Sequence, residues 1–210
     1  MARSEAGFTL IELLVSVTIL GLIAVPLSNV MIGFLRNSNA TTGRLAESHD
    51  AQISAAYFAQ DVASLGARDW TDTVTPYGYL QSVELAAPST AGLYPCGTAG
   101  LPNAVIRLAW DDYPNGASAP PVQTRAAYLV ETVNGQQQLH RITCAGNATP
   151  VTDVILAHDL VAASASCATS CTGTGSALPR QITLSLTVAD PQSAAGTSYS
   201  IALTGDRRQS

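Results

Sequence analysis

In the first sixth of the chain the apolar positions do not alternate with polar ones but run together. From 8 to 35 the sequence reads FTLIELLVSVTILGLIAVPLSNVMIGFL, in which 19 of 28 residues are apolar and one, Glu12, is charged. As a helix this segment is about 42 Å long, enough to cross a hydrocarbon layer of about 30 Å with residues to spare. A buried core helix of this length would carry a charged face, and here there is none. A secretory signal peptide would have a shorter apolar stretch ending in a small-x-small cleavage site. Arg36, Asn37, Ser38 and Asn39 stand there instead. The pattern therefore predicts a membrane-spanning helix over 8–35.

Beyond Leu35 the pattern changes twice. Between 36 and 66, Leu45, Ile53, Tyr57, Phe58, Val62 and Leu65 fall near helical spacing, with Arg36, Arg44, Glu47, Asp50, Gln60 and Asp61 on other faces. That spacing predicts an amphipathic continuation of the same helix, ending near Gly66. From about Thr71, Pro, Gly and Asn turns separate short apolar or alternating runs. The candidate strands are 80–85, 104–110, 126–132, 138–144, 154–163, 181–188 and 198–203. Asn134-Gly135 between two of them is the strongest hairpin signal. In 181–188, Ile182, Leu184, Leu186 and Val188 alternate with Thr183, Ser185 and Thr187, which predicts a half-buried antiparallel strand. The expected architecture is α+β, with a long helix (transmembrane, then amphipathic) packed on an antiparallel β-sheet head over 67–210.

Charge narrows the partners. The 210 residues carry ten basic and fifteen acidic side chains, and all ten cations are arginines scattered along the chain. No basic stripe exists to bind nucleic acid through its phosphates. Residues 36–210 hold nine arginines and thirteen acids, a mildly acidic surface. Four cysteines follow a helix that crosses outward and fit an oxidising compartment. Three pairings are possible. Cys167 and Cys171, four apart in CATSC, could close a small loop, leaving Cys96 and Cys144 to pair across the sheet. The competing reading is a metal site. CxxxC lacks a second close-spaced pair, however, and His49, His140 and His158 are dispersed, so disulfides are expected and no metal.

Within the apolar run, Glu12 is the anomaly. An ionised acid at mid-membrane costs about 2–4 kcal/mol and usually has a partner. No Arg or His stands at helical spacing inside the segment, and Arg3 lies nine positions upstream. The carboxylate needs a partner from elsewhere, or a place near the interface with a free amine close by.

Gly7-Phe8-Thr9-Leu10-Ile11-Glu12, after the short leader 1–6 and before a long apolar helix, resembles the type IV prepilin processing site. That superfamily comprises type IV pilins and the pseudopilins of type II secretion. The resemblance implies a leader peptide over 1–7 and cleavage between Gly7 and Phe8 by a membrane-embedded prepilin peptidase, on the cytoplasmic side. It further implies N-methylation of Phe8 and pairing of Glu12 with the terminal amine of a neighbouring subunit. Such an amine would lie about one helical turn from Glu12, near the positive end of the helix dipole. A pair in a low-dielectric setting fixes axial stagger more than it adds affinity. Pro26 is expected to kink or locally melt the helix, as it does in filament-forming pilins. In the head, 56–67, 128–143 and 178–191 resemble the PulJ-like minor pseudopilins and PilW-like minor pilins.

Catalytic patterns are missing from the sequence. It has no GxSxG, HExxH or P-loop, and no GxGxxG with a matched acid. Gly173–Ser176 reads as a flexible loop. Asp111-Asp112 near Asn115 lacks the ligand series of an EF-hand and reads as a solvated turn. His140 and His158 read as surface or satisfied core residues. The expected function is therefore structural and without cofactor. The chain would be a minor pilin or pseudopilin of the inner membrane, single-pass with a cytoplasmic N-terminus, entering a filament near its tip. Its implied partners are other pilin or pseudopilin subunits, an assembly platform and a cytoplasmic ATPase. The alternative is a membrane-tethered extracytoplasmic binding protein or enzyme outside any filament.

Overall fold

The computed structural model describes residues 9–71, 78–116, 119–189 and 197–208. The chain divides into two compact units, Met1–Leu45 and Ala46–Ser210, and the helix α1 (Leu10–Ser64) contributes to both.

In the first unit every described residue from Leu10 onward is helical. Its large apolar side chains, from Leu10 and Ile11 to Phe34 and Leu35, are exposed. Hydroxyls fold back on the helix. Ser16 Oγ donates to the Glu12 carbonyl (2.7 Å), Thr18 Oγ1 to Val15 (2.8 Å) and Ser28 Oγ to Ala24 (2.8 Å). These bonds hide polar groups that an apolar surrounding could not solvate. Pro26 lies inside the helix, which runs through it unbroken. Of the kink or local melting expected there, the melting does not occur, since the residues on both sides of Pro26 stay helical. A proline interior to a helix forfeits one N–H bond, and the turns on either side hold the remainder.

The second unit packs the last turns of α1 against two sheets. One sheet has the order β1 (Val83–Ala87), β2 (Ala104–Asp112), β3 (Val122–Val133), β4 (Gln136–Ala145), β5 (Pro150–Ala157), every neighbour antiparallel. The other has β6 (Leu160–Cys167), β7 (Gln181–Ala189) and β8 (Ser198–Asp206), also antiparallel. Asn134 (φ 54°) and Gly135 (φ 83°) form the two-residue link between β3 and β4, and the left-handed pair matches the twist of the strands they join. The stretch 154–163, read as one strand, is two. The chain turns at His158-Asp159, where Asp159 adopts φ 52°, and β5 and β6 enter different sheets. The head therefore has two sheets where one was expected.

Phe58, Val62 and Leu65 are fully buried in one core with Ile106, Leu108, Tyr128 and Leu139 of the first sheet and Leu184, Leu186 and Leu203 of the second. Phe58 meets Tyr128 edge to face, with ring centroids 5.6 Å apart. Leu45, placed by spacing on the same apolar face, is exposed. On β7 the alternation holds: Ile182, Leu184, Leu186 and Val188 are buried and the residues between them are only partly covered.

Behind β2, Arg107 is fully buried and organises the loop after β1. Its guanidinium donates to the carbonyls of Tyr94, Pro88 and Ala91, and lies 3.3 Å from Glu84. Glu84 in turn accepts the Leu93 and Tyr94 N–H groups (2.8 and 3.0 Å). Burial lowers the Arg107 pKa and the Glu84 carboxylate opposes that. A charge that would be costly alone becomes the staple of an irregular loop. Cys96 of that loop is bonded to Cys144 of β4, and Cys167 to Cys171 just beyond β6.

Candidate assembly segment and its anchor in the head

At the start of α1 the carboxylate of Glu12 is engaged by Thr9. The Thr9 carbonyl accepts the Leu13 N–H (3.2 Å), which makes Thr9 the capping residue of the helix. Glu12 N–H donates to Thr9 Oγ1 (3.4 Å), while Thr9 N–H and its hydroxyl both donate to Glu12 Oε2 (3.3 and 3.1 Å). This reciprocal arrangement is a capping box, built from a Thr and a Glu three residues later. It satisfies backbone donors that the first turn leaves open. Reading the sequence for a cationic partner overlooked Thr9, although T-x-x-E ahead of an apolar run was the available signal. The box points the acid toward the N-terminal end of the helix. Gly7 and Phe8, the expected cleavage and methylation positions, lie outside the described residues.

The far end of α1 is tied to the head by a second acid. Asp61, 2 % exposed, accepts Arg141 Nε (2.7 Å) on one oxygen and Arg141 Nη2 (2.6 Å) on the other. The Tyr128 hydroxyl donates to the same carboxylate (2.6 Å). One helical residue is thus bound to two adjacent strands, since Tyr128 pairs with Arg141 across β3 and β4. Burial works against the Arg141 charge, but Asp61 outweighs it and the guanidinium stands above its ordinary pKa. Burial, followed by the neighbouring Asp61, raises Tyr128 well above its usual value. A bidentate, three-donor carboxylate of this kind fixes orientation as well as energy. Two turns earlier, Ser54 Oγ donates to the Leu156 carbonyl (3.0 Å). One turn before that, Asp50 accepts both the backbone N–H (3.0 Å) and ring nitrogen (2.9 Å) of His158.

Asp111 and Asp112, considered as calcium ligands and read as a solvated turn, fall at the end of β2. The Asp111 carboxylate already accepts Arg68 N–H (2.7 Å) and Trp70 Nε1–H (2.9 Å), so it anchors the chain that leaves α1. Burial raises its pKa, and those two donors counter the rise. In the Gly173–Ser176 loop, the Gly175 N–H donates to the Tyr79 carbonyl (2.7 Å). The three histidines, dispersed in sequence, have different fates. His158 meets Asp50, whose other oxygen lies 4.0 Å from the exposed His49, and His140 meets Asp153 with its ring nitrogen 2.9 Å from the carboxylate.

Among the described residues, α1 is the one helix long and apolar enough to cross a membrane; its most apolar window has a mean hydropathy of 2.4 and no buried residues. Residues 2–28 match the family model of the prokaryotic N-terminal methylation motif. The match includes the Gly7–Phe8 junction, the Thr9–Glu12 box and Pro26. No curated protein matches the chain.

Proposed function

We propose, from the premise that this chain has the N-terminus of a type IV prepilin-like protein, that it is a minor pilin or pseudopilin subunit of a filament. The motif implies processing by prepilin peptidase and assembly with other pilins. In the proposed sequence, the precursor sits in the inner membrane with its head outside and its leader, 1–7, in the cytoplasm. Peptidase cleavage frees the Phe8 amine, which is then methylated. The subunit is drawn from the bilayer by an assembly platform and ATPase and enters the filament near its tip. The chain acts as a structural part, not as a catalyst.

The observation that carries this reading is the position of Glu12. An acid within an exposed apolar helix is costly in lipid, and a capping box holds it beside the start of the helix. In the proposed filament the acid meets an amine supplied by a neighbour, so that a subunit in any other register leaves the acid without its counter-charge.

The test is Glu12→Gln, which keeps shape and removes charge. The variant is expected to insert and to lose its leader, read by intact mass, yet to be absent from sheared filaments. Wild-type incorporation by this variant would overturn the proposal in favour of a tethered head that works alone.

A further inference from the structure

The outer face of the first sheet, away from α1, brings together three metal-binding side chains from three adjacent strands. Leu129 of β3 pairs with His140 of β4, and Ile142 of β4 pairs with Asp153 of β5. Because side chains alternate along a strand, Glu131, His140 and Asp153 share one face along successive diagonals. Their donor atoms lie within 4.8 Å of one another. We propose that Glu131, His140 and Asp153 form a site for a divalent transition ion of the zinc class.

Three observations bear on this. First, the imidazole is buried, with a side chain 8 % exposed, while Asp153 is about half exposed. One ligand is therefore held rigid by the sheet, and another is free to adjust. Second, His140 Nδ1 is already 2.9 Å from Asp153 Oδ1, close to the separation of about 3.3 Å between two donors on one tetrahedral zinc. Rotation of the Glu131 and Asp153 side chains closes the remaining gap. Third, His140 Nε2 faces Gln138 Oε1 at 3.4 Å. That amide oxygen can accept the ring's other N–H and leave Nδ1 as the ligating nitrogen, the usual outer support of a metal-bound histidine.

Charge selects the ligand class. Two carboxylates and a neutral imidazole balance a divalent ion, whereas a single imidazolium leaves one negative charge over. Among the described residues, the Glu131 carboxylate has no other hydrogen-bond or ion-pair partner. Hard cations such as calcium prefer an all-oxygen shell, so a site with a buried imidazole nitrogen favours zinc over calcium. The head provides its own control. His158 and Asp50 make a histidine–carboxylate contact of the same 2.9 Å, and His49 Nδ1 stands 4.0 Å from the other Asp50 oxygen, but among the described residues these three do not form a compact donor group as Glu131, His140 and Asp153 do. Both cysteine pairs are oxidised and offer no competing thiolate.

The experiment titrates zinc chloride into the untagged full-length chain in detergent, after chelator treatment, by calorimetry at pH 7.5. One saturable equivalent is expected, weakening by at least about tenfold in Glu131→Gln and in Asp153→Asn. Glu131→Gln leaves the His140–Asp153 contact intact, so its fold, checked by thermal melting without zinc, should match wild type. His158→Gln is expected to bind as wild type does. Failure to bind one equivalent, or equal binding by Glu131→Gln and Asp153→Asn, overturns the site.

Discussion

At the scale of single residues, two acids on one helix do opposite work. Glu12 sits exposed on an apolar helix and is held by a neutral threonine, whereas Asp61 is buried and fully matched by an arginine and a tyrosine. Removing one member of a buried ion pair costs about 3–5 kcal/mol, because the other charge stays behind without water. Asp61→Asn, nearly isosteric, should thus lower the melting temperature of the head by roughly 6–20 °C, measured by circular dichroism. A loss below about 2 °C would mean that Arg141 finds another acceptor. The tyrosines add a dependence on pH. Tyr94 is pushed up to about 12, first by burial and then by nearby acids, and Tyr128 is also held well above its usual value. Unfolded, both ionise near 10. Above pH 10 the unfolded chain gives up protons that the folded head retains, so stability is level up to about pH 10 and falls as pH rises toward 12. Thermal melts between pH 8 and 11.5 should show that fall, and Tyr94→Phe should make it shallower.

At the scale of elements, the apolar run, the helical spacing and most strands could be read directly, because each depends on local periodicity. Asn134-Gly135 and the alternation of 181–188 needed nothing beyond their own residues. The break at His158-Asp159 could not be read. Val154, Ile155, Leu156, Leu160 and Val161 form a near-continuous apolar run, and only a left-handed Asp159 divides it between two sheets. Nor was the grouping of Glu131, His140 and Asp153 visible, since it arises from strand register rather than sequence spacing. The Thr9–Glu12 box, by contrast, is local, a T-x-x-E ahead of an apolar run. Close packing between elements is likewise silent in sequence: Gly205 of β8 lies so near α1 that an added Cβ would stand 2.6 Å from Val62 Cβ. Overpacking at such a point costs about 1–3 kcal/mol. Gly205→Ala should destabilise the head by that amount, and adding Val62→Ala should return part of it. Equal losses in the single and double variants would place the strain elsewhere.

At the scale of the whole molecule, the division into Met1–Leu45 and Ala46–Ser210 falls inside a helix, and packing explains why. Residues 10–35 bury none of their apolar side chains within the chain, so they depend on lipid or on other helices. Residues 46–65 are different, for Phe58, Val62 and Leu65 fill the space between two sheets. Burying three such side chains is worth about 5–9 kcal/mol, comparable to the total stability of an ordinary domain. The place of truncation should therefore decide the outcome. A chain spanning 46–210 keeps those anchors, the Asp61–Arg141 pair and both disulfides, and should be monomeric without detergent and melt cooperatively. A chain spanning 67–210 retains every strand yet exposes Ile106, Leu108, Tyr128, Leu184, Leu186 and Leu203, and leaves Arg141 without Asp61. It should aggregate or lose its cooperative transition, as read by size-exclusion chromatography and thermal melting. If the shorter chain melted as sharply and as high as the longer one, the sheets would hold each other without the helix, and the end of α1 would be a tether instead of part of the core.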